Sequence, residues 1–187
     1  MALPTISDVE LLARCTEVFR TYGFEGATMS RISAATGLER GSLYHRFPGG
    51  KEEMALAVAA GVVDWFTKNI FDLLKQPGAP LKRVKAAAEQ LRKFYAEGTK
   101  SCLLEILSIP SGGPELAASL KGALQAWHKA FAEISQESGY SSAEAKRRAE
   151  DAIMRIEGSL VLSRVLSDSK SFHRALDELP RTLIQME

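Results

Sequence analysis

The chain is poor in cysteine, has few aromatic residues and lacks any long apolar run. Cys15 and Cys102 are the two cysteines in 187 residues and stand far apart, so free thiols in a reducing cytoplasm are expected rather than a disulfide framework. No basic leader followed by an apolar signal segment is recognisable at the start. The longest candidate apolar stretch, Leu160 to Leu166, is broken by Ser163 and Arg164 and falls far short of the roughly 20 residues of a membrane span. A soluble, cytoplasmic protein with no membrane contact is the expectation. An excess of charge of one sign is also missing: 24 basic residues face 23 acidic ones, which excludes a polycation that coats any anionic surface.

Catalytic and metal patterns are absent as well. His45, His128 and His173 are scattered singly, with no His-Glu-x-x-His spacing to place two ligands on one helical face. Gly49-Gly50-Lys51 lacks the rest of a phosphate loop, because Glu52 stands where a hydroxyl is needed and His45 where the first glycine belongs. There is no Gly-x-Ser-x-Gly elbow, and neither cysteine has a local histidine or cationic setting. The expectation is a non-enzyme with no catalytic residues, no metal and no cofactor.

What is present is concentrated between Arg31 and Lys51. Ile32 and Ala35 give a short helix an apolar stripe, Gly37 supplies a permissive turn, and Leu38, Leu43 and Phe47 anchor a second short helix. That is the pattern of a helix-turn-helix, whose second helix shows polar tips to the DNA major groove. Four basic residues, Arg31, Arg40, Arg46 and Lys51, face one acidic residue, Glu39, in this stretch, so affinity for DNA must come from a small patch. Arg40, Ser42 and His45 are candidates for base edges, with arginine to guanine the strongest expected contact. Thr28, Ser30, Arg31, Tyr44, Arg46 and Lys51 are candidates for phosphates, and Gly41 lets the helix backbone approach the duplex.

Phe24-Glu25-Gly26-Ala27-Thr28, Ile32-Ser33, Gly37, then Gly41-Ser42-Leu43-Tyr44-His45-Arg46-Phe47 and Lys51-Glu52 resemble the TetR family of one-component transcriptional regulators. The match covers about the first third of the chain. Leu160 to Leu166 and Ser171-Phe172 to Leu179-Pro180 are similar to the LmrA/YxaF-like subgroup. One departure stands out: many relatives carry a small hydroxyl residue where this chain has Glu39. The resemblance implies a repressor, released from its operator when a small molecule of unknown identity binds the body. An activator using the same head, or a helical partner-binding protein whose head no longer reads DNA, are the alternatives.

Caps and breakers organise the chain as all-α. Ser7 with Glu10 reads as a capping box for a first helix, with Val9, Leu12, Ala13, Thr16 and Phe19 at helical spacing up to Gly23. Thr28 caps a second helix, and the recognition helix runs from about Arg40 to Phe47 before Pro48-Gly49-Gly50. A long helix starts near Lys51 and stops before Gln76-Pro77-Gly78. Further helices run from Pro80 towards Gly98, from Cys102 to Leu107, from Pro114 to Gly139, from the second capping box at Ser141 and Glu144 to about Leu166, and from Ser171 onward. The loop Pro110-Ser111-Gly112-Gly113-Pro114 separates two of them. Residues 1–50 are expected to form a three-helix, helix-turn-helix head, and residues 51–187 a larger helical ligand-binding and dimerisation body.

Two surfaces are expected in that body. Ile153, Ile156, Leu160, Val161 and Val165 exceed the apolar needs of a solvent-facing helix; with Phe172, Leu176 and Leu179 they would form half of a four-helix bundle completed by a second subunit. Such a homodimer would read a palindromic duplex with half-sites about 34 Å apart or more. Trp65, Phe66, Phe94, Leu103, Leu104 and Leu107, with Trp127, Phe131 and Met154, are the candidate cavity lining.

Overall fold

The computed structural model describes residues 6–108 and 113–185, and these fold as α-helix with no strand among the described residues. The expected loop at Pro110-Ser111-Gly112 lies outside them. The helices are α1 (Asp8–Gly26), α2 (Met29–Thr36), α3 (Arg40–Arg46), α4 (Gly50–Leu74), α5 (Pro80–Phe94), α6 (Leu103–Leu107), α7 (Gly113–Glu137), α8 (Ser142–Leu166) and α9 (Lys170–Leu183). Packing sorts them into two compact units, 1–63 with 103–121, and 64–102 with 122–187. The chain therefore enters each unit twice, and the segment containing α6 packs in the same unit as the expected head.

The first unit is built on a buried apolar stripe of α1, Leu11, Cys15, Val18 and Phe19. This is not the face expected from the sequence: Val9 is 81% exposed, and Thr16 turns its hydroxyl to the Leu12 carbonyl at 2.7 Å. Cys15 belongs to the core as a small hydrophobe, and burial pushes its thiol up to about 11. Cys102 is buried as well, and its sulfur accepts the Tyr95 hydroxyl at 3.5 Å. Around this stripe close Phe24, Ile32, Leu43, Met54 and Val58, together with Leu103, Leu107, Leu116 and Leu120.

Ser7 caps α1 by accepting the Glu10 N–H at 3.2 Å, and Ser141 caps α8 by accepting the Glu144 N–H at 3.3 Å. The glutamate carboxylates of the expected capping boxes turn to arginines instead. Glu10 pairs with Arg14 and Glu144 with Arg147 and Arg148, because an arginine one turn on offers a charged donor. The Arg147 hydrogen bond above all holds the Glu144 carboxyl below its usual range.

In α4, Met54, Ala55, Val58 and Ala59 are buried in the first unit's core, while Phe66, Ile70, Phe71 and Leu74 are buried residues of the second unit. By length and composition this helix is apolar enough to cross a membrane, a run that exceeds the Leu160 to Leu166 stretch. Those buried side chains mark it as a core helix. Its Thr67–Phe71 turn is π-helical.

In the second unit, α8 and α9 form an antiparallel pair with α5 against α9. Arg83, 7% exposed, donates to the Leu74 carbonyl at 2.6 Å and pairs with Glu137, so the carbonyl end of α4 is capped from α5. Ile156, Leu160, Phe172, Leu176 and Leu179 are at most 2% exposed and Ile153 is 8% exposed within this single chain. Six of the eight residues expected at a subunit interface are thus buried within the single chain, where α9 packs along α8. Val161 and Val165 remain outward, 36% and 71% exposed.

Gly98 ends the α5 turn with φ 87°, and a Cβ there would lie 2.8 Å from Cδ1 of the buried Phe172 ring. Gly98→Ala therefore combines a left-handed backbone with overpacking and should cost about 2–4 kcal/mol, read as a lowered midpoint in urea unfolding; an unchanged midpoint would show that α9 is free to retreat.

Candidate nucleic-acid interface

The geometry of α2 and α3 follows from short-range chemistry. Thr28 starts α2 by accepting the Arg31 N–H at 3.3 Å, and Gly37 ends it in the left-handed conformation at φ 73°, which a residue without Cβ adopts at no steric cost. The Ser33 hydroxyl donates to the Leu38 carbonyl at 2.6 Å, and Thr36 Oγ1 accepts the Leu38 N–H at 3.3 Å, so the turn is stitched by side chains. Arg14 of α1 donates to the Ala35 and Thr36 carbonyls at 3.2 and 3.4 Å, which satisfies the end of α2 from a neighbouring helix.

From this frame α3 turns one apolar residue inward, Leu43 at 0% exposure, and leaves Glu39, Arg40, Gly41, Tyr44 and His45 exposed, with Ser42 partly so. Glu39 is the N-cap residue of α3 yet makes no side-chain cap bond. Of the residues expected to reach base edges, Arg40 and His45 are thus open to solvent and Ser42 is half-buried. Arg40 donates to the hydroxyl of Ser30 across the turn.

The candidates for phosphate contacts divide. Arg31 donates to the Gly26 carbonyl at 2.6 Å and lies 4.2 Å over the Tyr22 ring. Arg46 reaches the Ile6 carbonyl and the Asp8 carboxylate, both at 3.2 Å. Lys51 lies 3.7 Å from Glu25 and 4.3 Å over the Phe24 ring. Each of these cations ties the head to itself, a use that charge counting along the sequence does not reveal. Thr28 caps α2, and Tyr44 remains 48% exposed. Asp8, Glu25 and Tyr22, none of them expected as site residues, set the direction of three of the head's four expected cations. Among the described residues no cluster of three His, Cys, Asp or Glu is placed to hold a metal.

The expected cavity residues separate into three environments. Trp65, Phe66, Phe94, Trp127 and Phe131 form one aromatic cluster, with centroid distances from 4.3 Å for Trp65 and Phe94 to 5.8 Å for Trp127 and Phe131. The indole N–H of Trp127 is buried there without a hydrogen-bond partner. Leu103 and Leu107, with Leu104 packed against them, join the core of the first unit instead, where α6 lies against α1. Met154 is 57% exposed and lines an open groove of about 620 Å³ with Leu124, Gln125, His128, Glu150 and Ile153. His128 Nε2 lies 3.0 Å from the Lys146 carbonyl.

Residues 11–58 match the family model described as bacterial regulatory proteins, tetR family. Residues 80–178 match the C-terminal domain of LmrA/YxaF-like transcriptional regulators. The HTH-type transcriptional regulator LmrA of Bacillus subtilis is 26% identical over 169 residues, which cover 86% of this chain and 87% of that one. The HTH-type transcriptional repressor AcnR of Corynebacterium glutamicum is 45% identical over 56 residues, 30% of this chain and 29% of its own. A TetR transcriptional regulator from Legionella pneumophila has the same fold, with a TM-score of 0.84 at 18% identity over 96% of this chain and 99% of that one.

Gly41 connects the surface to stability. It is exposed in α3, and a Cβ added to it would meet nothing within 4 Å, so the chain's own packing has no use for a glycine that weakens a helix. Gly41→Ala should raise stability by about 0.5–1 kcal/mol while weakening duplex binding at least several-fold. Urea unfolding and DNA titration of the same preparation measure both; unchanged DNA affinity would mean that α3 does not approach the duplex closely at this point.

Proposed function

Because the chain belongs to the TetR family of bacterial regulatory proteins, with an LmrA/YxaF-like C-terminal domain, and is a DNA-binding transcriptional regulator, we propose that it acts as a homodimeric repressor released from a palindromic operator by a small molecule. Residues 1–50 read the DNA, residues 51–187 bind the effector and the second subunit, and the protein works in the cytoplasm. The naming of the relative AcnR as a repressor supports the sign of the regulation. Arg40, Ser42 and His45 address base edges in the major groove. Phosphate contacts come from Tyr44 and Thr28, with Arg31, Arg46 and Lys51 contributing charge while held by their internal partners.

The observation that carries the dimer is a strip of exposed apolar side chains on α8. Met154, Val161, Leu162, Val165 and Leu166 are 36–71% exposed, at a spacing that puts Met154, Val161, Leu162 and Val165 along one side. A second copy of α8 covers such a strip in a two-fold arrangement. One seven-residue recognition helix contacts few base pairs, and pairing doubles the readout.

The effector enters among the aromatic rings of Trp65, Phe66, Phe94 and Trp127, where the free indole N–H of Trp127 offers a donor to a ligand acceptor. Helix α4 carries Met54 and Val58 into the core of one unit and Trp65 and Phe66 into the rings of the other. A ligand that shifts α4 alters the separation of the two recognition helices, and only a difference in ligand affinity between the DNA-competent and released states drives that change.

Val165→Asp, at a position already 71% exposed, should leave the fold intact, convert a sedimenting dimer into a monomer and lower operator affinity at least 100-fold. A wild-type protein that sediments as a monomer at micromolar concentration, or a Val165→Asp variant that stays dimeric and binds normally, would refute the proposed assembly.

A further inference from the structure

We propose that Ser30 is a positioning residue for Arg40, holding its guanidinium in the direction that reads guanine, rather than chiefly a phosphate contact. The inference rests on the DNA-reading function above. Ser30 lies in the first turn of α2 and Arg40 opens α3, so the hydrogen bond from Arg40 Nη2 to Ser30 Oγ spans the turn between the two helices.

Two features give this bond a function. A guanidinium has five N–H donors in a planar fork, and the serine uses one of them, which leaves a pair of parallel donors for the O6 and N7 acceptors of guanine. A long, exposed side chain loses rotamer freedom when it binds, and a brace in the free protein removes part of that loss beforehand.

The kind of partner matters as much as its position. Arg46 faces Asp8 and Lys51 faces Glu25, and a carboxylate both directs a cation and cancels its charge. Ser30 directs Arg40 through a neutral hydroxyl, so the full positive charge stays available to the groove. The hydroxyl keeps its own proton and can still donate it to a phosphate, which makes uniform phosphate binding the competing assignment.

Selection of bound sequences from a random duplex pool separates the two, using the full chain as wild type, Ser30→Ala, Ser30→Thr, Arg40→Ala and the Ser30→Ala/Arg40→Ala double variant. Thermal unfolding followed by circular dichroism checks that the exposed substitutions leave the fold intact. Ser30→Ala is expected to reduce the preference for guanine at a single half-site position by roughly 2- to 10-fold, at the position that Arg40→Ala also relaxes. Ser30→Thr keeps the hydroxyl and retains the preference, and Ser30→Ala has no further effect on that position once Arg40 is gone. An equal loss of affinity for all duplexes with every positional preference intact, or no effect of Ser30→Ala at all, would overturn the proposal. A folded wild-type protein that enriches no sequence would remove the DNA-reading function itself, and the proposal with it.

Discussion

A helix of seven residues does not hold itself together in water, because nucleation costs more than so few hydrogen bonds return. The recognition helix α3 is of that length, and its shape therefore depends on burying Leu43 against a core supplied by α1, α2 and α4. Everything that reads DNA hangs on that anchor. Phe19, Ile32 and Met54 are also at 0% exposure, and a buried leucine of this kind contributes about 2–5 kcal/mol relative to alanine. The side-chain stitches of Ser33 and Thr36 and the arginine cap from Arg14 then settle the angle at which α3 leaves the turn.

The electrostatics of the head follow from the same constraint. Cations around the short helices are engaged as internal ties: Arg31 to a carbonyl and a tyrosine face, Arg46 to Ile6 and Asp8, Lys51 to Glu25 and a phenylalanine face. This reduces the charge free to condense on phosphate and shifts the weight of recognition towards oriented contacts, Arg40 and its serine brace among them. In the other unit, cations serve structure too: the buried Arg83 caps α4, and the partly buried Arg92 bridges Glu89 of its own helix to Asp177 of α9.

Punctuation was legible in the sequence, and partnership was not. Ser7, Thr28 and Ser141 cap helices where expected and Gly37 turns where expected, because each of these outcomes depends on a few neighbouring residues. On α1 the fully buried stripe is Leu11, Cys15, Val18 and Phe19, with Leu12 packed at its edge and Val9 exposed, since two adjacent stripes at helical spacing differ only in which one meets a partner. Leu103 and Leu107 join the core around α1, although nothing local distinguishes them from residues of an aromatic cavity. The apolar excess of α8 and α9 was real, but Ile156, Leu160, Phe172, Leu176 and Leu179 satisfy one another within the chain, and only Val161 and Val165 of that set face outward with Leu162 and Met154.

The most direct measurement of a small, oriented recognition patch is the salt dependence of binding to a selected palindromic duplex and to a scrambled duplex of equal length, between about 50 and 200 mM salt, where each neutralised phosphate adds about 0.9 to the logarithmic slope. The palindrome is expected to keep its advantage over the scrambled duplex at the higher salt, with the scrambled complex lost first. Equal affinity for both duplexes, collapsing together as salt rises, would contradict it and reduce the head to a nonspecific cationic surface.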